Sequence, residues 1–392
     1  MKIAYLAENS DYYKNLKSES AVDRRRLAVF ETVWRSCGVE LVPWKPNIVC
    51  DVVYIVNIQR NIKISNFIIN NRKNEAIVSG IVEDVFTGIF ANSSISNINN
   101  IESIIKDYYY NHKKNKFRIL RNYLSNIGIY KTQQQKVLEI ISKSDAVICT
   151  SGVQASSLLH INPFCTGIAD CIPDSDYAII DEKYGDEIKK LKEKNGTVCL
   201  VWEGTAWGLQ LLETIRNSIE ELQRRVSNPI LLVVVMPKKR PDFIFGTNDN
   251  DSILKNKYKI NTRHYEWDIN TVGSILRACD IALAPMPENN PFYRAKAFSK
   301  PLVYMSLGIP VVASPIPSYC ELINNKENGF IAYTQDEWVE IMLDLVVNNE
   351  KRKHIGRLAI DRVVKYHSID NVSKEYLSIF KKSILIKQQK FD

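Results

Sequence analysis

The sequence predicts an α/β protein of two domains, each a parallel sheet covered by helices, facing each other across a cleft. Three observations carry that expectation. Short apolar runs of strand length alternate with helical stretches along the chain, as in sheets whose strands are joined by crossover helices. The alternation occurs twice, on either side of the charged run Asp181–Asn195, which reads as a solvated linker or helix face. Finally, 392 residues at 45% hydrophobic content can fill more than one core, at roughly 150 residues per domain.

In the first half, Lys2–Ala7 reads as a strand and 8–20 as a polar loop. Ala21–Cys37 reads as a helix closed by Gly38, because glycine enters the left-handed conformation that ends helices without steric cost. Val39–Val42, Asp51–Val56 and Ala76–Val82 are further strands, the last ending at Glu83 and Asp84. Thr132–Ser144 is helical and Ala146–Thr150 a strand. Two segments fall outside the alternation. Asn92–Asn100 is a polar loop, and Ile105–Leu124 interleaves Lys106, Lys113, Lys114, Lys116, Arg118 and Arg121 with Tyr108, Tyr109, Tyr110 and Phe117.

The second half repeats the order. Thr197–Trp202 is a strand, Leu209–Val226 a long helix, and Ile230–Met236 a continuous apolar strand suited to the middle of a parallel sheet. Thr271–Cys279 is helical, Ile281–Ala284 a strand, Ala297–Ser306 helical and Pro310–Ala313 a strand. Glu337–Val347, Asn349–Lys365 and Asn371–Lys387 are helical. Ligands of open parallel sheets bind beyond the carboxyl ends of the strands, so the loops there are the candidate sites.

Composition narrows the function classes. The longest aliphatic run, Ile230–Met236, is far short of the ~20 residues that cross a bilayer, and Met1–Ala7 is too short for a signal peptide. The eight cysteines are scattered, with no Cys-x-x-Cys pair and no zinc spacing, so a reducing cytoplasm and no metal are expected. Phosphate-loop, dinucleotide-binding, nucleophile-elbow and His-Glu-x-x-His motifs are absent. The net charge of +8 leaves nucleic acid, an anionic membrane surface or a polyanionic small substrate open as partners.

The strongest signal is Asp280–Phe330. A strand runs into a Pro-rich loop, and Lys296 and Lys300 follow, four apart and hence on one face near the start of a helix. Two ammonium groups at a helix N-terminus suit a diphosphate. Tyr304–Ser314 (YMSLGIPVVAS), with DIALAPMP before it and ELINNKENGF after it, resembles the signature region of glycosyltransferase family 4, the group 1 retaining enzymes of GT-B fold. VCLVWEGTAWGLQLLETI fits the same C-terminal domain; KIAYLAE, IVEDVF and SDAVICTSG fit the first domain less specifically.

The resemblance implies an N-terminal acceptor domain over 1–185, a C-terminal nucleotide-sugar domain over 186–370, and a helix over 371–392 that crosses back to the first domain. It implies transfer of a sugar from a nucleotide-diphospho-sugar, with retention and no metal, to a saccharide or lipid-linked acceptor in bacterial surface polysaccharide synthesis. No cofactor beyond the donor is expected.

Lys296 and Lys300 are then the diphosphate ligands, with backbone amides of the Gly204-Thr205 loop. Trp267, Asn289, Tyr319 and Glu321 are further donor-binding candidates. Trp202, Glu203 and Trp267 fall at strand ends, where core packing competes with stacking on a base, and Glu321 either touches the nucleotide or caps the helix after it. Glu83 and Asp84 are the candidates for positioning the acceptor hydroxyl.

The sequence departs from the family where two glutamates are usual: those positions are Ala295 and Val303. An inactive sugar-nucleotide-binding partner protein is one alternative on this ground. A nucleotide-sugar epimerase is another, although its acid and base groups are poorly represented. With lysines assigned to a diphosphate, and 105–124 read either as a solvated helix face or as a patch for the anionic inner face of the cell membrane, the positive charge does not require nucleic acid.

Overall fold

The computed structural model describes residues 1–7, 21–82, 133–172, 174–205, 208–237 and 260–389. They form two compact units, Met1–Asp170 with Val372–Asp392, and Cys171–Asn371. Each is built on a six-stranded, all-parallel sheet.

The first unit contains β1 (Lys2–Leu6), α1 (Ala21–Arg26), α2 (Glu31–Ser36), β2 (Glu40–Pro43), β3 (Val52–Ile55) and α3 (Ile62–Asn70). It continues with β4 (Ala76–Gly80), α4 (Gln133–Lys143), β5 (Ala146–Cys149), α5 (Gly152–Leu158) and β6 (Cys165–Gly167). The sheet order is β2-β1-β3-β4-β5-β6. β3, β4 and β5 are buried at every residue, which is why they read as apolar runs rather than alternations.

The helix expected over 21–37 is interrupted by a 3-10 turn at Ala28–Phe30, and Gly38 at φ 76° closes its second part. Arg26, on α1, is buried; it donates to Asp170 at 2.9 Å and to the Ile81 carbonyl at 3.0 Å. That ties α1 to the carboxyl ends of the sheet.

The second unit contains α6 (Lys183–Asn195), β7 (Val198–Glu203), α7 (Leu209–Glu213), α8 (Arg216–Arg225), β8 (Ile230–Val235), β9 (Asn261–Tyr265), α9 (Val272–Ala278) and β10 (Ile281–Ala284). It continues with α10 (Pro291–Arg294), α11 (Ser299–Ser306), β11 (Val311–Ala313), α12 (Pro317–Leu322), β12 (Phe330–Ile331), α13 (Gln335–Val347) and α14 (Asn349–His367). The order β12-β11-β10-β7-β8-β9 is the doubly wound arrangement of dinucleotide-binding sheets. Its core gathers Leu200, Trp202, Leu232, Val234 and Leu283 from the strands with Leu212, Ile219 and Leu222 from α7 and α8.

The charged run expected as a solvated linker or helix face is the helix α6, whose inner side packs on α9. A Cβ on Gly185 would stand 2.8 Å from the Ser274 carbonyl oxygen, so the two helices meet at a distance only glycine permits. Lys192 reaches Asp280 at 2.8 Å, and the other carboxylate oxygen accepts the Cys199 N–H at 2.9 Å, fixing α6 to the sheet. Charge hid this packing, because α6 needs few apolar side chains to dock. The helix expected over 209–226 is broken at Thr214–Ile215, where the Thr214 hydroxyl donates to the Leu211 carbonyl.

The last helix, α15 (Ile369–Gln389), returns to the first unit. Tyr376 and Phe380 join Phe30, Trp34 and Tyr54 in an aromatic cluster with centroid spacings from 5.0 to 6.2 Å. Among the described residues, no helix is long and apolar enough to cross a membrane.

Candidate functional site

In the second sheet the strand order reverses between β7 and β10, so their connections leave in opposite directions and open a crevice at the carboxyl edge. The loop Gly204-Thr205 follows β7, Pro285–Asn290 follows β10, and Trp267 follows β9. Of the residues expected from sequence, Gly204, Thr205, Trp267 and Asn289 lie on these three connections.

The floor is Trp202, whose side chain is fully buried. A Cβ on Gly204 would stand 2.5 Å from two carbons of the indole and 3.1 Å from Lys300 Nζ. Only glycine lets the backbone cross the ring so closely. The Lys300 ammonium sits 4.6 Å from the centroid of the same ring, so the indole face holds a cation at the mouth of the β7 loop. The Gly204 N–H is committed to the Val235 carbonyl at 3.0 Å. Gly204 therefore contributes room, and not the anion-binding amide expected of it. The Thr205 N–H makes no hydrogen bond among the described residues, while the Thr205 carbonyl accepts from Gly208 N–H at 2.8 Å.

Beside this floor stands Glu203. Its Oε1 accepts from the Trp267 indole N–H at 2.7 Å and from the Tyr177 hydroxyl at 3.3 Å, and its N–H donates to the Tyr304 hydroxyl oxygen at 2.9 Å. Burial, reinforced by Glu203, pushes the Tyr304 phenol well above its ordinary range, so this support is protonated and neutral. With both side-chain bonds on Oε1, the second oxygen has no hydrogen bond among the described residues. A carboxylate fixed in this way is a ready acceptor for hydroxyl groups. The sequence marks Glu203 only as a strand end; its partners lie 26, 64 and 101 residues away and become visible only on folding.

Lys296 and Lys300 do not share a helix face. α11 begins at Ser299, leaving Lys296 in the turn after α10, with its N–H on the Tyr293 carbonyl and its ammonium 5.1 Å from the Phe292 ring centroid. Pro301 sets this boundary: its missing N–H is harmless in a first turn, but in a helix begun at Lys296 it would remove an interior bond. The Ser318 hydroxyl, on α12, donates to the Lys296 carbonyl at 2.5 Å and anchors the turn.

The remaining candidates are dispersed. Asn289 is exposed in the loop after β10. Tyr319 is fully buried, close enough to Tyr304 to help raise its pKa. Glu321 caps no helix: it lies inside α12, and the next helix, α13, is capped by Thr334. Burial moves the Glu321 carboxyl upward. Ala295 and Val303, where the family resemblance expects glutamates, are each 2% exposed. Glu83, Asp84 and the segment 105–124 lie outside the described residues. Among the described residues, no three His, Cys, Asp or Glu side chains group as metal ligands.

Residues 219–348 match the family described as Glycosyl transferases group 1. No curated protein matches the chain in sequence. Among solved structures, HepE of Anabaena in complex with UDP and glucose has a TM-score of 0.59 at 12% identity, covering 97% of this chain and 99% of that one. Sucrose-phosphate synthase from Thermosynechococcus elongatus has a TM-score of 0.54 at 10% identity, covering 93% and 79%. A mutant of S. aureus TarM, in complex with fondaparinux, alpha-GlcNAc-glycerol and UDP, has a TM-score of 0.51 at 12% identity, covering 84% and 55%. At these identities the likeness shows the fold. Residues 219–348 thus match the group 1 glycosyl transferase pattern, and a GT-B fold spans nearly the whole chain.

Proposed function

We propose that this chain is a retaining, metal-independent glycosyltransferase that takes a sugar from a nucleotide-diphospho-sugar held on its second unit. The observation that carries the reading is the ammonium of Lys300 fixed on Trp202 beside Gly204, at the switch point of the doubly wound sheet within the group 1 unit. As the glycosidic bond breaks, negative charge grows on the leaving diphosphate. A cation already oriented by an aromatic face stabilises that charge without reorganising, so it favours the transition state over the bound donor. Lys296, on its own aromatic ring, supplies a second positive group from the same loop region. The free oxygen of Glu203 accepts donor hydroxyls, in place of the carboxylates absent at Ala295 and Val303.

The acceptor is a saccharide or lipid-linked saccharide of a bacterial surface polysaccharide, with its hydroxyl positioned by Glu83 and Asp84. HepE was solved with UDP and glucose and TarM with UDP and alpha-GlcNAc-glycerol, which makes uridine-diphospho-sugars the first donors to assay. The buried, apolar Ala295 and Val303 favour one second reading, a protein that binds such donors without turning them over. Release of the free nucleoside diphosphate from a panel of nucleotide sugars separates the two. Turnover with any donor supports the transferase, while donor binding with no hydrolysis or transfer across the panel and a mixed acceptor pool supports the inactive binder.

A further inference from the structure

The first unit carries a cavity of about 240 Å³ that the donor reading leaves unused. It lies between the segment that leaves β2 at Trp44 and the carboxyl end of α3. Asn71, Lys73 and Glu75 line it just ahead of β4, at the amino edge of the strands. The cavity therefore runs along the flank of the sheet, from the carboxyl end of β2 at Trp44 to the residues that precede β4.

The walls combine two chemistries. Trp44 and Phe67 meet edge to face at 6.3 Å, and Phe67 remains 50% exposed, with Val49 beside them at 85%. Around these rings stand polar groups with nothing to bind among the described residues: the Trp44 indole N–H, the Asn47 amide and the Lys73 ammonium. Glu75 accepts the Lys73 backbone N–H at 3.1 Å through one oxygen, and Asn71 donates to the Phe67 carbonyl at 2.8 Å, which leaves the Asn71 carbonyl oxygen available. Asn47 is held at φ 65°, a conformation Asn tolerates better than most residues.

Donors and acceptors thus line one cavity together with two aromatic rings. An anion would face Glu75, a cation would face Lys45 and Lys73, and an apolar ligand would make no use of the polar groups. A sugar ring satisfies all of them, since each hydroxyl both donates and accepts and its C–H face packs on an indole. The cavity is below the ~300 Å³ typical of drug-sized ligands, which suits one sugar unit of a longer chain. We infer that this cavity is a saccharide-holding site, separate from the donor site, that retains a glycan chain on the first unit. Such a site raises the local concentration of a polymeric acceptor. The binding itself does not depend on the transferase reading.

Isothermal titration of the full chain with maltohexaose, cellohexaose, chitohexaose and an oligogalacturonide tests it. At least one probe is expected to bind, with Trp44→Ala weakening it about tenfold and the exposed Lys73→Ala about threefold, by lost stacking and one lost hydrogen bond. Lys300→Ala is expected to leave this binding unchanged while weakening nucleoside diphosphates, so failure of the cavity and failure of the donor site read out separately. The inference is overturned if none of the four probes binds. It is equally overturned if both cavity variants keep normal affinity, or if Lys300→Ala abolishes the saccharide signal.

Discussion

Replacing Lys300 by alanine tests the donor site most directly, because the structure separates its two effects. The ammonium rests against a buried indole, and its cation–π contact contributes ~0.5–1 kcal/mol to folding. The fold is thus expected to survive with a small drop in denaturation midpoint. Binding loses more, because a hydrogen bond from a charged donor to a diphosphate is worth ~1.5–3 kcal/mol. At ~1.4 kcal/mol per decade, the dissociation constant of a nucleoside diphosphate rises roughly ten- to hundredfold. Titration calorimetry at low and at physiological salt measures this, and the wild-type advantage should shrink with salt. The corresponding monophosphate should lose less. Gly204→Ala gives an independent route to the same result, since its Cβ would lie 2.5 Å from the Trp202 ring and displace the platform that holds the ammonium. If Lys300→Ala melts normally and binds nucleoside diphosphates like the wild type, the switch-point lysine is only a surface charge and the reasoning fails.

Two further perturbations probe the frame around the site. Gly356→Ala, on α14, would place a Cβ 2.2 Å from the Gly308 carbonyl oxygen, and backbone cannot move aside as a side chain does. A loss of ~1–3 kcal/mol is expected, read as a lower urea midpoint, and an unchanged midpoint would refute the close contact. His367 is pulled down to about 4 by burial, aided by the charge of Arg362, with Phe298 packed edge-on at 5.2 Å. The unfolded chain takes up the proton near pH 6.5 and the folded one only near 4. Stability is therefore full above pH 6.5 and falls by up to ~3 kcal/mol as pH drops towards 4. Urea midpoints from about pH 7 to 4 should decline less steeply in His367→Gln, and an identical slope would exclude His367 as a source of acid sensitivity.

Much of the fold was legible because burial on both faces of a parallel strand leaves a continuous apolar run. Ile230–Val235 and Ala146–Cys149 announce themselves in this way. The edge strands Cys165–Gly167 and Asn261–Tyr265 do not, being partly exposed and mixed in composition. For α6 the charged run allowed a helix face, but its docking was not legible, since it rests on a glycine contact and an ion pair that no hydrophobic period records. Within the site, the lysines stood out by type, but their shared helix face did not survive Pro301.

By itself, then, the sequence determined the two sheets, the long helix over 369–389 and the loop region from which Lys296 and Lys300 project. These depend on local pattern: apolar runs, helix periods and turn residues close together in the chain. Only the tertiary structure decided that Lys300 rests on Trp202, that Gly204 gives space and keeps its N–H in the sheet, and that Glu203 is gripped by Tyr177, Trp267 and Tyr304. Those contacts join strand ends that are distant in sequence, and it is the strand order, reversing between β7 and β10, that brings them to one edge.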